Sequence, residues 1–200
     1  MNTQVQFSSK HASNDFVNRL SDADLLGELI GVQESRQQYQ GSLQPFFAEG
    51  QAQSHTKCAV ARELVKRWLY EEMTHREVFA DPRAVVEFLK VHFSGREYES
   101  FVVLYLDSQN RLIAVEELFK GTLSQTSVYP REVVKNALRH NAGACVLSHN
   151  HPSGVVTASR ADEHLTQILK SALSLVDVRV LDHIIVAGNR SLSFAEKGLL

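Results

Sequence analysis

Cysteine is scarce in this chain: Cys58 and Cys145 stand alone, and neither belongs to a C-x-x-C pair. Two isolated thiols exclude a disulfide framework, and Cys145, inside the apolar run ACVL, reads as a small buried hydrophobe. An excess of one charge is lacking as well, since 21 basic residues against 23 acidic ones leave a formal net charge of −2. Composition therefore gives nucleic-acid binding no support, because a phosphate backbone is met by a basic footprint. Long apolar runs are missing too. The opening MNTQVQFSSKHASNDF has neither the apolar core of a secretory leader nor the length of a membrane span, so the expected address is cytoplasmic, with no membrane partner. No internal repeat, heptad run or glycine-rich phosphate loop is found, which sets aside a nucleoside-triphosphate site.

What is present is a globular composition, 44% hydrophobic and 22% charged over 200 residues. That suits one ordinary domain, or a compact domain of roughly 120 residues with an appended segment. Residues 1 to about 20 are polar and weakly patterned. LSDADLLGELIGV then predicts a short helix capped by Ser21 or Asp22, with Leu25, Leu26, Leu29 and Ile30 on one face. The Gln- and Ser-rich stretch that follows has no steady period and reads as a linker. From Thr56 a helical period returns through Val60, Leu64, Val65, Trp68 and Leu69, and Asp81-Pro82 restarts the chain as cap and first helical residue of a helix that stops at Gly95.

Beyond Gly95 the pattern is mixed. SFVVLYLDSQNRLIAVEEL predicts a β-hairpin turning at Asp107 to Asn110. PREVVKNALRHN predicts a helix burying Val133, Val134, Ala137 and Leu138, and ACVLSHNH a strand. A helix from Ser159 with the stripe Leu165, Ile168, Leu169, Ala172, Leu173 and Val176 comes next, before two strands in VRVLDHIIVAG and SLSFAEK. The expected organisation is an N-terminal segment with a short helix and linker over 1–55, a connecting helix over 56–79, and an α/β domain over 80–200.

The segment SHNHPSGVVTASRAD stands at the C-terminal end of a predicted strand, where sites form in such sheets. In an extended segment alternate side chains share a face, so His149 and His151 point one way and Asn150 the other. Pro152 ends the strand and Gly154 permits the chain to turn back. Asp162, one helical turn beyond Ser159, is the natural third ligand. Two imidazoles and one carboxylate with an open fourth position is the donor set of a catalytic Zn2+ site. The same Ser159-x-x-Asp162 spacing also reads as a plain capping box. The remaining histidines, His11, His55, His75, His92, His140 and His164, show no ligand spacing. His183, in LDHIIV, reads as a strand histidine or as a residue behind the ligands.

His149-x-His151, seven residues, Ser159, two residues, Asp162 resembles the JAMM motif of the JAB/MPN metallopeptidases, which include deubiquitinating isopeptidases. LFKGTLSQTSVYPREVVKNAL, SHNHPSG and LDHIIVAG resemble, more closely, the RadC-like branch, over about residues 80–200. The resemblance implies a three-layer α-β-α JAB/MPN fold, cytidine-deaminase-like, with a mixed sheet beside a helical N-terminal segment. It implies His149, His151 and Asp162 as Zn2+ ligands and Ser159 as the motif serine that positions the water or stabilises the oxyanion. A glutamate at the start of the first core strand would take a proton from that water, and Glu99 holds the place. Glu97 shares its parity, and Glu116 and Glu117 lie on the next strand. The implied activity is zinc-dependent hydrolysis of peptide or isopeptide bonds in a protein or peptide substrate. The alternative is a non-catalytic zinc-containing module in a DNA-repair or mobile-element complex. Two departures stand out: Ala158 occupies the place of the family's proline, which should loosen the loop without removing a ligand, and the family's N-terminal helix-hairpin-helix glycines are not seen.

Overall fold

A computed structural model of the chain describes residues 17, 19–47, 56–75, 82–121 and 128–200. The N-terminal polar stretch, His11, His55, the Asp81 cap and the middle of LFKGTLSQTSVYP lie outside the described residues. The chain divides into two compact units, Met1–Ala61 and Arg62–Leu200.

In the first unit, helix α1 (Asp22–Ile30) begins at Ser21, whose hydroxyl accepts from the Asp24 amide at 3.2 Å. It stops at Gly31, where φ is +106°. The stretch read as linker folds further: α2 (Val32–Gln38) and α3 (Gln44–Phe47) follow at once. Phe46 joins Leu26, Ile30 and Cys58 in a small apolar cluster, and Ser35 donates to the Ala23 carbonyl at 2.5 Å. One aromatic anchor and one hydroxyl fix these turns, and neither leaves a hydrophobic period to read.

Helix α4 (Thr56–His75) crosses the unit boundary. Of the residues that carry its period, Val60 is 52%, Leu64 61% and Trp68 59% exposed. Leu69, also on that period, makes inward contacts together with Tyr70 and Met73, against the core of the second unit. The period identified the helix correctly, but it does not say which face meets a neighbour.

The second unit is a five-stranded mixed sheet. Helix α5 (Pro82–Phe93) leads to β1 (Ser100–Leu106) and β2 (Leu112–Lys120). Helix α6 (Pro130–Arg139), β3 (Ala144–Asn150), helix α7 (Arg160–Ser174), β4 (Arg179–Ala187) and β5 (Arg190–Ser193) follow, and α8 (Phe194–Lys197) closes the chain. The spatial order is β2-β1-β3-β4-β5, antiparallel throughout except for the parallel pair β3–β4. The hairpin turns as expected, with the Asp107 carboxylate accepting from the Gln109 and Arg111 amides at 2.8 and 2.9 Å.

Alternation along the strands builds two cores. Val102, Leu104, Leu106 and Val146 pack on α5, while Phe101, Val103, Tyr105, Cys145 and Leu147 pack under α6 and α7. The result is the three-layer α/β arrangement. Two expectations shift. Leu138 of α6 is exposed, and SLSFAEK divides into the end of β5 and α8, because Ser193 caps a helix through the Glu196 amide while Phe194 is buried.

Candidate metal centre

Both cysteines are free and buried, so neither contributes to a site. The histidine pair does. His149 is the penultimate residue of β3, a strand with neighbours on both sides, and is paired across to Phe101 of β1 and Ile185 of β4. Its ring lies stacked on Phe101 at 6.4 Å. His151 leaves the strand but keeps one sheet bond, its amide donating to the Val186 carbonyl at 2.8 Å. A turn then closes from the His151 carbonyl to the Gly154 amide at 3.1 Å, with Gly154 at φ +77°, a left-handed conformation that glycine takes at little cost.

The turn and the loop through Ala158 deliver Ser159 as the N-cap of α7. Three atoms from this path converge: His149 Nε2 and His151 Nε2 are 2.9 Å apart, and Asp162 Oδ1 is 3.3 Å from His149 Nε2. The three residues offer ligand atoms all within 4.8 Å of one another. The convergence holds with alanine at 158.

The donor set fits a cation. His151 Nδ1 faces the Val155 carbonyl at 2.8 Å, and a carbonyl only accepts, so Nδ1 carries a proton and Nε2 is the nitrogen left to ligate. A carboxylate oxygen and two imidazole nitrogens brought this close repel unless something positive lies among them. Burial is the main reason that the His149 pKa is pushed down to about 4, and the ring therefore stays neutral and able to ligate near pH 7.

The capping-box and ligand readings of Asp162 turn out to be compatible. Its Oδ2 accepts from the Ser159 amide at 2.8 Å and from the Ser159 hydroxyl at 2.7 Å, while the hydroxyl oxygen accepts from the Asp162 amide at 3.1 Å. Oδ2 caps the helix and lies 3.9 Å from His151 Nε2, while Oδ1 is turned to His149. In this structure the Ser159 proton is spent on Asp162, so the serine orients the carboxylate.

Glu99 precedes β1, and carrying the Phe101–His149 register two residues further puts it opposite His151. It lines the same cavity of about 500 Å³ as His149, His151, Ser159 and Asp162. Burial, and then the Asp162 charge, raise its pKa, while His151 lowers it. Glu97 is exposed and is not among the cavity's lining residues. Glu116 pairs with Arg139 and His140 at 2.7 and 2.9 Å, and Glu117 with Arg96 at 2.8 Å.

Two further side chains gain a place here: Asn150, which the sequence only turns away from the histidines, and His183, one of whose two sequence readings is a residue behind them. Asn150, turned away from the histidines and 4% exposed, accepts from the Ser100 amide at 2.8 Å and donates to the Tyr98 carbonyl at 2.9 Å. It thereby holds the backbone on both sides of Glu99. His183 of β4 is 0% exposed, and its Nε2 meets His149 Nδ1 at 2.8 Å.

Comparison with known proteins agrees with this arrangement. Residues 79–199 match the family model described as RadC-like JAB domain. Over 138 residues, 69% of this chain, the sequence is 64% identical to the UPF0758 protein of Acidovorax sp. (strain JS42) and covers 58% of that protein. Over the same length it is 61% identical to the UPF0758 protein of Variovorax paradoxus (strain S110), covering 61% of it. The chain thus spans less than two thirds of the length of these relatives. Among the described residues no helix is long and apolar enough to cross a membrane. A mixed sheet, a His-x-His strand end and a capped aspartate, within a match that covers more than half of the chain, place it in the RadC-like JAB domain family.

Proposed function

We propose that this protein is a zinc-dependent hydrolase of peptide or isopeptide bonds that acts on a protein or peptide substrate in the cytoplasm. The observation that carries the reading is the convergence of His149, His151 and Asp162 on one wall of a cavity that Glu99 also lines. Those three residues would hold the ion, and Zn2+ suits two imidazoles and a carboxylate better than a hard, oxygen-seeking cation does. When bound, the ion would supply Lewis-acid polarisation of the scissile carbonyl and acidify water in its open position.

The remaining chemistry belongs to the chain. Glu99, its pKa raised chiefly by burial, takes a proton from the attacking water as the C–O bond forms. It returns that proton to the leaving nitrogen as the C–N bond breaks, so the carboxylate is regenerated. Ser159 sits where its hydroxyl, on turning from Asp162, donates to the oxyanion that develops on the carbonyl. Phe101, Val128 and Leu165 give the cavity an apolar side against which a substrate chain can exclude water.

Metal analysis of the purified protein tests the ligand set: one Zn2+ per chain is expected, lost in His149→Ala and Asp162→Ala, and full zinc in both variants would overturn it. Hydrolysis of peptide and isopeptide libraries tests the rest. Glu99→Gln should keep its metal and lose about 10²–10⁴-fold in rate. Tight, salt-dependent DNA binding with no hydrolysis, and no effect of Glu99→Gln, would favour the non-catalytic module instead.

A further inference from the structure

His149 can ligate through Nε2 only if its proton sits on Nδ1, and its contact on the ligand side, His151 Nε2 at 2.9 Å, favours a proton on Nε2 unless an ion lies between them. The deciding groups lie behind His149, on α7 and β4. The Thr166 hydroxyl is 2.6 Å from the Asp162 carbonyl and 2.6 Å from His183 Nδ1. A hydroxyl has one proton to give, and the carbonyl can only accept, so the proton goes to Asp162 and the Thr166 oxygen must accept from His183. His183 Nδ1 is therefore the protonated nitrogen. The ring is fully buried between Phe101 and Phe194, with centroids at 5.7 and 4.7 Å, where a second proton would bury an uncompensated charge. His183 Nε2 is left as an acceptor, and the 2.8 Å contact to His149 Nδ1 is satisfied only by a proton on His149.

We propose that Thr166 and His183 are positioning residues that set the tautomer of His149, fixing its proton on Nδ1 and presenting Nε2 as a lone pair to the ion. The inference rests on the metal reading above, and it extends that reading to two residues that do not touch the ion. The relay also joins two ligands through protein. It starts at His149 on β3, crosses His183 on β4 and ends on the backbone carbonyl of Asp162, so the histidine and the turn carrying the aspartate are held by one chain of hydrogen bonds. Its order depends on directionality: reversing any one bond would leave two donors or two acceptors facing each other inside the core.

The experiment has two arms. Long-range ¹H–¹⁵N correlation spectra of the full-length, metal-free protein near neutral pH report which ring nitrogen of His149 is protonated. Nδ1–H is expected, and Nε2–H in the wild type would overturn the proposal whether or not the protein binds zinc. The second arm measures Zn2+ affinity by competition with a chromophoric chelator. Thr166→Val, which keeps the shape and removes both bonds, should weaken binding by about 10–100-fold and populate the Nε2–H tautomer. Thr166→Ser should restore both readouts. Affinity and tautomer unchanged in Thr166→Val would overturn the relay. A wild type that binds no Zn2+ would instead sink the metal reading, with the spectra still deciding the relay.

Discussion

Asn150 shows what a single side chain contributes between two ligands. It touches neither the histidine rings nor the aspartate, yet its amide bonds the residues before and after Glu99. Asn150→Ala should cost about 1–3 kcal/mol, since it leaves the buried Ser100 amide and Tyr98 carbonyl without this partner. It should also lower the hydrolytic rate while Zn2+ content stays at one per chain; loss of zinc together with activity would show that the residue acts on the ligands instead. His92 supports a second expectation. Burial first, and then Arg96, push its pKa from the ordinary 6.5 down to about 3. The unfolded chain binds this proton near pH 6.5 and the folded chain only near 3, so the stability that His92 contributes is complete above 6.5 and is lost as pH falls through that window. Urea unfolding between pH 6.5 and 4 should show ΔG falling by up to about 1.4 kcal/mol per pH unit from this residue, and His92→Gln should flatten the slope by that share. The group His149, His151 and Asp162 was legible in the sequence because its spacing is local. The role of Asn150 was not, and His183 allowed two readings, because their partners lie 50 and 34 positions away and no spacing rule spans that distance.

Among the elements, α7 carries two duties in its first turn. Ser159→Ala removes the hydroxyl that accepts from the Asp162 amide and the donor that holds Asp162 Oδ2. The expected outcome is a loss of about 0.5–2 kcal/mol in thermal or denaturant unfolding, with weaker Zn2+ binding in the same variant. Normal stability with weakened zinc would separate the two duties. Element by element, strands and capped helices were readable where an apolar period or an N-cap marks them, as in β1, β3 and α7. The failures have a common cause. In α4 the period marks the helix without fixing its inner face, since Leu64 and Trp68 are exposed while Leu69 and Met73 meet the core. In α2, α3 and α8 the helix is one or two turns long, too short for a period, and is held by a single anchor such as Phe46 or Phe194.

For the molecule as a whole, the two cores flanking the sheet draw on no described residue before Leu69. A fragment spanning 62–200 should therefore unfold cooperatively by circular dichroism and bind the same one equivalent of Zn2+; a fragment without a sharp transition would show that the first unit is required. The proposed relay behind His149 also joins residues far apart along the chain. Glu99 precedes the first strand and His183 lies in the fourth, with the histidine pair and the aspartate between them. Contacts so distant along the chain carry a large loop-closure cost. While the chain is being synthesised, His149 and His151 emerge before β4, and until β4 pairs with β3 no partner holds the proton of His149 in place. If the proposed site takes zinc, it is assembled by the fold, so a chelator should remove the metal and leave the circular dichroism of the folded chain unchanged.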